Sequence, residues 1–209
     1  PGLARLFGDA GAVVIEGAPG RRPSTGQLLE AVETSGAAEV VILPNDPDSV
    51  RAAQAAARTA EDDHDVRVAV IPTEAQVQGI AALAVHEPAR GFDADVLEMT
   101  ATARHTRHGA VTIAVKQAIT MAGPCEPGDV LGVIAGDFAI VGSDLQVVAT
   151  EILDRLLGGG GELVTLVHGL GSDGLVAHCE DHLGDRYAHV DVVVYDGGQE
   201  RYPLLMSVE

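Results

Sequence analysis

Lysine is almost missing from this chain: Lys116 stands alone among 13 basic residues, which face 31 acidic ones. The resulting formal net charge of -18 excludes phosphate backbones and anionic membrane surfaces as partners on electrostatic grounds, so no nucleic-acid function is expected. A single lysine also excludes a lysine-dense anion site. Cysteine is scarce as well. Cys125 and Cys179 are too few for a disulfide framework and lack Cys-x-x-Cys spacing, which points to a reducing, cytoplasmic location. No apolar run approaches the ~20 residues of a membrane span, and no signal-peptide pattern opens the chain. The first residue is Pro1 rather than Met, and the chain reads as a fragment of something longer. Catalytic signatures are missing too. There is no Gly-Lys-Ser/Thr phosphate loop and no Gly-x-Ser-x-Gly elbow, and no Ser/His/Asp set can be assembled from spacing.

What is present describes a globular protein. The 209 residues are 46% hydrophobic and 21% charged with a mean hydropathy of +0.18, enough for one large domain or two half-size ones. Ala12 to Ile15 and Val40 to Leu43 are short apolar runs, separated by helical spacing at Leu28, Leu29 and Val32 between Thr25 and Ser35. A helix with Asp48 as its N-cap then runs from Val50 to Ala60, followed by a strand from Val66 to Ile71 and a helix from Gln76 to Val85. Unbroken apolar strands alternating with helices predict a parallel sheet covered on both faces. The turn-forming Glu87-Pro88-Ala89-Arg90-Gly91 marks a boundary, which gives a parallel α/β subdomain over 1–88 and a mixed α+β subdomain over 89–209. In the second, a helix from Ala94 to about His105 precedes an alternating strand, Ala110 to Gln117, one face of which is wet or packs on something outside the sheet. Val130 to Ile134 and Phe138 to Val141 form a hairpin across Ala135-Gly136-Asp137, with the Gly-Asp step supplying positive φ. A helix from Leu145 to Leu157, a strand from Leu163, a helix from Asp173 to Leu183 and a strand from Val190 to Tyr195 follow.

The candidate chemistry lies at strand ends. Pro23-Ser24-Thr25 precedes a helix, where two hydroxyls and free N–H groups can hold a carboxylate; the same position is the ordinary place for a capping hydroxyl. Leu43-Pro44-Asn45-Asp46 and Ile71-Pro72-Thr73, with Gln78-Gly79 opening the next helix, would build one crevice along a rim, or would simply end strands as turn formers. His178 and His182 share a helix face but lack a third ligand, so they read as a solvated face, and no metal is expected. Arg104, His105, Arg107 and His108 read as an exposed helix end. Gly158 to Gly161 follows a helix instead of opening one and reads as a linker, while Gly169-x-Gly171-x-x-Gly174 reads as a turn. The final stretch, Asp196 to Val208, carries a glycine pair, a Tyr-Pro step and an apolar run, so it is expected to be docked into the fold.

These motifs, in this order, resemble the C-terminal region of the ATP-binding subunit of bacterial fatty acid kinase, a dihydroxyacetone-kinase-like family whose fold there is similar to that of the DegV fatty-acid-binding proteins. The resemblance rests on Pro23-Ser24-Thr25 with Leu28-Leu29, Ile42 to Asn45, Ile71-Pro72-Thr73 with Gln78-Gly79, Gly109 to Val115, Gly128-Asp129, and Gly197-Gly198-Gln199 with Tyr202-Pro203 and Ser207-Val208-Glu209. The chain departs from the family pattern at Gly17-Ala18-Pro19, at Asp46 in place of an asparagine and at Glu74 in place of a lysine. The resemblance implies a DegV-like α/β fold and ligand-contacting positions at Ser24, Thr25, Asn45, Thr73, Gln78, Gly198, Gln199 and Tyr202. It also implies no catalytic residue in this fragment, with ATP and magnesium confined to an N-terminal domain outside it. The implied partner is an acyl-carrier subunit, itself DegV-like, and the implied task is to dock it. The alternative is that the module holds a fatty acid directly in a crevice between its subdomains.

Overall fold

The computed structural model describes residues 2–17 and 20–209; Pro1, Ala18 and Pro19, the last two part of the Gly17-Ala18-Pro19 departure, lie outside them. The described chain divides into two compact bodies, one of residues 4–105 and one of residues 106–209 together with Gly2 and Leu3.

The first body contains most of helix α1 (Gly2–Asp9), then α2 (Thr25–Ser35), β1 (Glu39–Ile42), a 3-10 turn (Pro47–Ser49), α3 (Val50–His64), β2 (Arg67–Val70), α4 (Gln76–Ala84) and α5 (Phe92–His105). Strands β1 and β2 pair in parallel, Glu39 opposite Arg67 through Ile42 opposite Val70. The period-two alternation sends Val40 and Ile42 to Val32 of α2 and Ala57 and Ala60 of α3. Val41 and Leu43 pack instead with Ala82 of α4 and Met99 and Ala103 of α5. Both faces are therefore covered, which is why these strands show no polar alternation in sequence.

Three expectations are corrected by this body. Residues 12–15 form no strand: among the described residues only β1 and β2 pair in it, and Val13, left without a ladder partner, is 72% exposed. Asp48 is not the cap. Asp46 accepts from the Asp48 N–H and the Ser49 hydroxyl and starts the 3-10 turn ahead of α3. The division falls at 105/106 and not at 88/89, because Met99 and Ala103 of α5 complete the core made by Ile71 and Ala82.

The second body is built on a six-stranded sheet of β3 (Arg107–Ile113), β6 (Val130–Ile134), β7 (Asp137–Gly142), β8 (Leu163–His168), β9 (Asp191–Asp196) and β10 (Leu204–Val208), in the order β7-β6-β3-β10-β8-β9. Only β8 and β9 run parallel, and the remaining pairs are antiparallel. A small hairpin, β4 (Ala118–Thr120) with β5 (Gly123–Cys125), leaves between β3 and β6. Helices α6 (Leu145–Leu157) and α7 (Leu175–Arg186) bring Ile152, Leu153, Leu156, Cys179 and Leu183 onto one face of the sheet, against Val111, Leu166, Leu204, Met206 and Val208. The expected β6–β7 hairpin forms, but its two-residue turn is Ala135-Gly136, with φ of 51° and 85°; Asp137 already pairs with Ile134.

The C-terminal segment is docked, and it is central. Strand β10 lies between β3 and β8, with all five of its residues buried.

Candidate functional site

In the first body the carboxyl ends of β1 and β2 bring Asn45 and Thr73 together. The Asn45 N–H donates to Thr73 Oγ1 over 2.9 Å, and that hydroxyl donates to Asn45 Oδ1 over 2.8 Å. Thr73 is completely buried, and Asn45 adopts a φ of 57°, a conformation asparagine tolerates better than most residues. Gly79 completes the clasp, since a Cβ there would collide with Asn45 Oδ1. Gln78 Oε1 accepts from the Glu74 N–H over 2.8 Å, and its Nε2 donates to the Ala103 carbonyl over 3.2 Å, tying α4 to α5. Beside it is a depression of about 290 Å³ whose lining includes Ile71, Pro72, Thr100 and Ala103, with Glu74 and Arg104 also at its wall.

A Gly79→Ala substitution ordinarily gains up to ~1 kcal/mol in a helix interior. Here it must displace Asn45 and strand the buried Thr73 hydroxyl, at about 1–3 kcal/mol. The expected result is a net loss of stability, seen as a lower urea midpoint; an unchanged or higher midpoint would show that Asn45 moves aside freely.

Ser24 is a helix cap. Its Oγ accepts from the Gln27 N–H over 3.2 Å and Gln27 Oε1 accepts from the Ser24 N–H over 3.0 Å, a closed capping box on α2, with Thr25 as the first residue of that helix. Asp46 takes Arg22 as a partner, and Arg22 also reaches Asp48 over 2.6 Å. Burial opposes ionisation of Asp46, but hydrogen bonds from Arg22, Ser49 and the Asp48 N–H outweigh it and hold the carboxyl below the usual range.

The most enclosed charge in this body is one the sequence did not single out. Asp95, on the first turn of α5 and 3% exposed, accepts from the Glu87 N–H (3.0 Å) and Arg90 (3.0 Å) and contacts His86 Nδ1 at 2.5 Å. Its partners lie on the turn after α4. The Glu87 to Gly91 segment, expected to be a boundary, is a clasp inside one body.

In the second body Gly197, Gly198 and Gln199 close the end of β8. The N–H groups of Gly197 and Gly198 both donate to the His168 carbonyl. Gln199 Nε2 donates to the Val167 carbonyl over 2.9 Å and the Tyr202 carbonyl over 3.0 Å, and the Gln199 carbonyl accepts from the Leu170 N–H. A Cβ on Gly169 would collide with that carbonyl, so the strand end and the returning segment touch backbone to backbone. The Arg201 guanidinium sits over the Tyr202 ring at 5.2 Å. These residues thread the chain into β10.

The eight expected ligand positions thus fall into two groups, Ser24, Thr25, Asn45, Thr73 and Gln78 in one body and Gly198, Gln199 and Tyr202 in the other. Of the first, Asn45 and Thr73 touch each other directly.

Arg104 and His105 end α5 exposed, as expected, but two other histidines depart from expectation. His182 does not lie on a solvated face. Its Nε2 meets Asp154 Oδ1 of α6 at 2.7 Å, beside the Tyr187 hydroxyl, which donates to the same oxygen over 2.9 Å. Burial, with the Asp154 carboxylate adding to it, raises the Tyr187 phenol above its ordinary value. Arg107 and His108 are not a helix end either: they begin β3, His108 is buried, and Arg107 donates to the carbonyls of Leu156 and Gly160. The Gly158 to Gly161 run is therefore a turn that receives Arg107 as well as a connection. Among the described residues no group of three or more His, Cys, Asp or Glu side chains is placed to hold a metal ion, and no helix is long and apolar enough to cross a membrane. Both cysteines are buried and free, and burial, with Glu180 adding to it, pushes the Cys179 thiol up to about 12.

Known proteins are similar to this chain in sequence and in fold. The FakA-like family model, which describes the C-terminal part of a fatty acid kinase component, matches residues 1–209. Protein YloV of Bacillus subtilis (strain 168) is 30% identical over 210 residues, and the match covers 100% of this chain but only 37% of YloV. Among solved structures, the Streptococcus pneumoniae fatty acid kinase B3 protein, loaded with linoleic acid, superimposes with a TM-score of 0.68 at 15% identity, over 90% of this chain and 76% of that one. The DegV family protein Cg2579 from Corynebacterium glutamicum gives a TM-score of 0.69 at 11% identity, over 98% and 91%. The two structural likenesses show a shared α/β fold.

Proposed function

Because the chain belongs to the FakA-like C-terminal family of fatty acid kinase, we propose that it is a non-catalytic module that docks a DegV-like acyl-carrier subunit, so that the bound fatty acid can be phosphorylated by a separate kinase domain. One observation carries this reading. Several of the polar groups that the family resemblance assigns to a ligand are engaged in holding the chain's own shape: Ser24 caps α2, Asn45 and Thr73 bind each other, and Gln199 Nε2 binds the Val167 and Tyr202 carbonyls. A DegV-like frame whose polar residues are used internally is suited to recognition by its surface.

Phosphoryl transfer needs carboxylates for magnesium and a phosphate cradle, and the family resemblance puts both in a separate N-terminal domain. The glycine run after α6 receives Arg107, and no helix begins at it. The contribution of this module is positional, and bringing two reactants together in one orientation accounts for much of a two-substrate rate enhancement.

The test is titration calorimetry of the chain against each oleate-loaded DegV-fold protein of the same cell. A 1:1 complex with Kd on the order of micromolar is expected for an interface of ordinary size. No heat with any of them would overturn the docking reading. A fatty acid retained by the isolated chain through native mass spectrometry would replace it with the direct-binding alternative.

A further inference from the structure

The second body presents an apolar surface that its own fold does not use. After β3 the chain leaves the sheet as the β4–β5 hairpin. Val115 is 89% exposed, Ile119 91% and Met121 90%, and Ile113 and Pro124 are exposed beside them. This is not a loose loop. Ala114 and Cys125 are buried with Leu131, and Ala118 packs on them. The Ala114 N–H donates to the Asp129 carbonyl and the Ala114 carbonyl accepts from the Gly128 N–H, each over 2.8 Å. Gln117 donates to Glu126 over 2.8 Å, and Thr120 Oγ1 donates to the Gly123 carbonyl over 2.7 Å. A two-stranded ribbon is marginal by itself in water, so anchoring of this kind, with the apolar side chains turned outward, suits an element shaped for a partner.

Three occupants are disfavoured. An anionic lipid surface is repelled by a chain of net charge -18, and so is a second copy of the same charge. A lone fatty acid needs enclosure, which side chains about 90% exposed on a ribbon do not supply. A protein with an apolar recess and a basic border satisfies both the stripe and the field around it. We infer that the β4–β5 hairpin, through Val115, Ile119 and Met121, is the contact by which this chain engages its acyl-carrying DegV-fold partner, at an apolar recess bordered by Lys and Arg. The inference rests on the docking reading and adds the surface and the chemistry of the partner's face.

Lys116, the only lysine in the chain, sits in the bend that leads from β3 into this hairpin, so side-chain crosslinks made by an amine-reactive reagent report on this element. The experiment titrates oleate-loaded DegV-fold proteins of the same cell with wild type, with an Ile119→Asp, Met121→Asp double variant, and with Leu97→Asp, an exposed position of the first body, as control. Crosslinking mass spectrometry and sedimentation run in parallel. Expected are a loss of affinity of at least about tenfold for the double variant with unchanged circular dichroism, no loss for the control, and crosslinks from Lys116. Equal binding by wild type and double variant overturns this inference and leaves docking intact. No binding by wild type overturns the docking reading and the inference with it. A wild-type dimer that the double variant abolishes, or wild-type binding to phosphatidylglycerol vesicles, assigns the stripe to another occupant and overturns it.

Discussion

Deleting residues 204–208 is expected to unfold the whole second body while the helices and parallel strands of the first keep their protection. Strand β10 pairs on one side with β3, Leu204 opposite Val111, and on the other with β8, Leu204 opposite His168. Its removal strands both ladders at the middle of the sheet and takes Leu204, Met206 and Val208 out of the core under α6 and α7. No neighbouring segment can close that gap. Met206→Ala alone leaves a cavity at a fully buried site and is expected to cost about 2–5 kcal/mol. Hydrogen exchange read by mass spectrometry checks both variants: amides of 107–113 and 163–168 should exchange at unfolded rates in the deletion. Retained protection there would mean that β10 decorates the sheet and does not complete it.

The second large effect is expected at Asp95. Asp95→Ala leaves the Glu87 N–H, Arg90 and His86 facing an empty site; because Arg90 and His86 are partly exposed and can turn to water, the loss should be about 2–4 kcal/mol, short of that for a wholly buried pair. Asp95→Asn tests the charge alone. Burial opposes ionisation of Asp95, but the Glu87 N–H, His86 and Arg90 outweigh it and hold its folded pKa below the ordinary value. A depressed carboxylate stabilises above its unfolded pKa of about 3.9, and that stabilisation disappears as pH falls through the folded value. Urea titrations of wild type and Asp95→Asn should therefore show their full gap at pH 7 and a closing gap as pH drops below about 4. A gap constant down to pH 2 would rule out the ionised carboxylate as its source.

The elements most legible in sequence are those with local punctuation. Helix α2 carries Ser24, Gln27, an apolar stripe and Gly36, and its bounds fall where that pattern puts them. Helix α6 does the same behind Asp144. The run at 12–15 has strand composition but, among the described residues, no strand partner, and pairing is a property of the fold that a four-residue window does not contain. The three-residue strands of the β4–β5 hairpin are too short for a periodic signal, and the alternating strand expected over 110–117 runs instead over 107–113, so Val115, expected on one side with the buried Val111, lies beyond the strand's end and is exposed.

At the candidate site, the rim positions of Asn45 and Thr73 were visible from their place after strands. Their mutual hydrogen bonds were not, because 28 residues separate them. Asp95, His86 and Arg90 meet across a turn whose Pro and Gly carry the sequence signal of a boundary. His182 meets Asp154 from another helix, and nothing in the i, i+4 spacing of His178 and His182 encodes that third residue.

The sheet order places β10 against β3, nearly a hundred residues earlier in the chain, whereas β1 and β2 of the first body are joined through a single helix. Such a difference in contact order separates the two bodies in time: the first can nucleate from near neighbours, and the second must wait for a distant loop to close. On refolding from urea two kinetic phases follow, and during the slower one the apolar faces of α6 and α7 stand open to aggregation or to a chaperone.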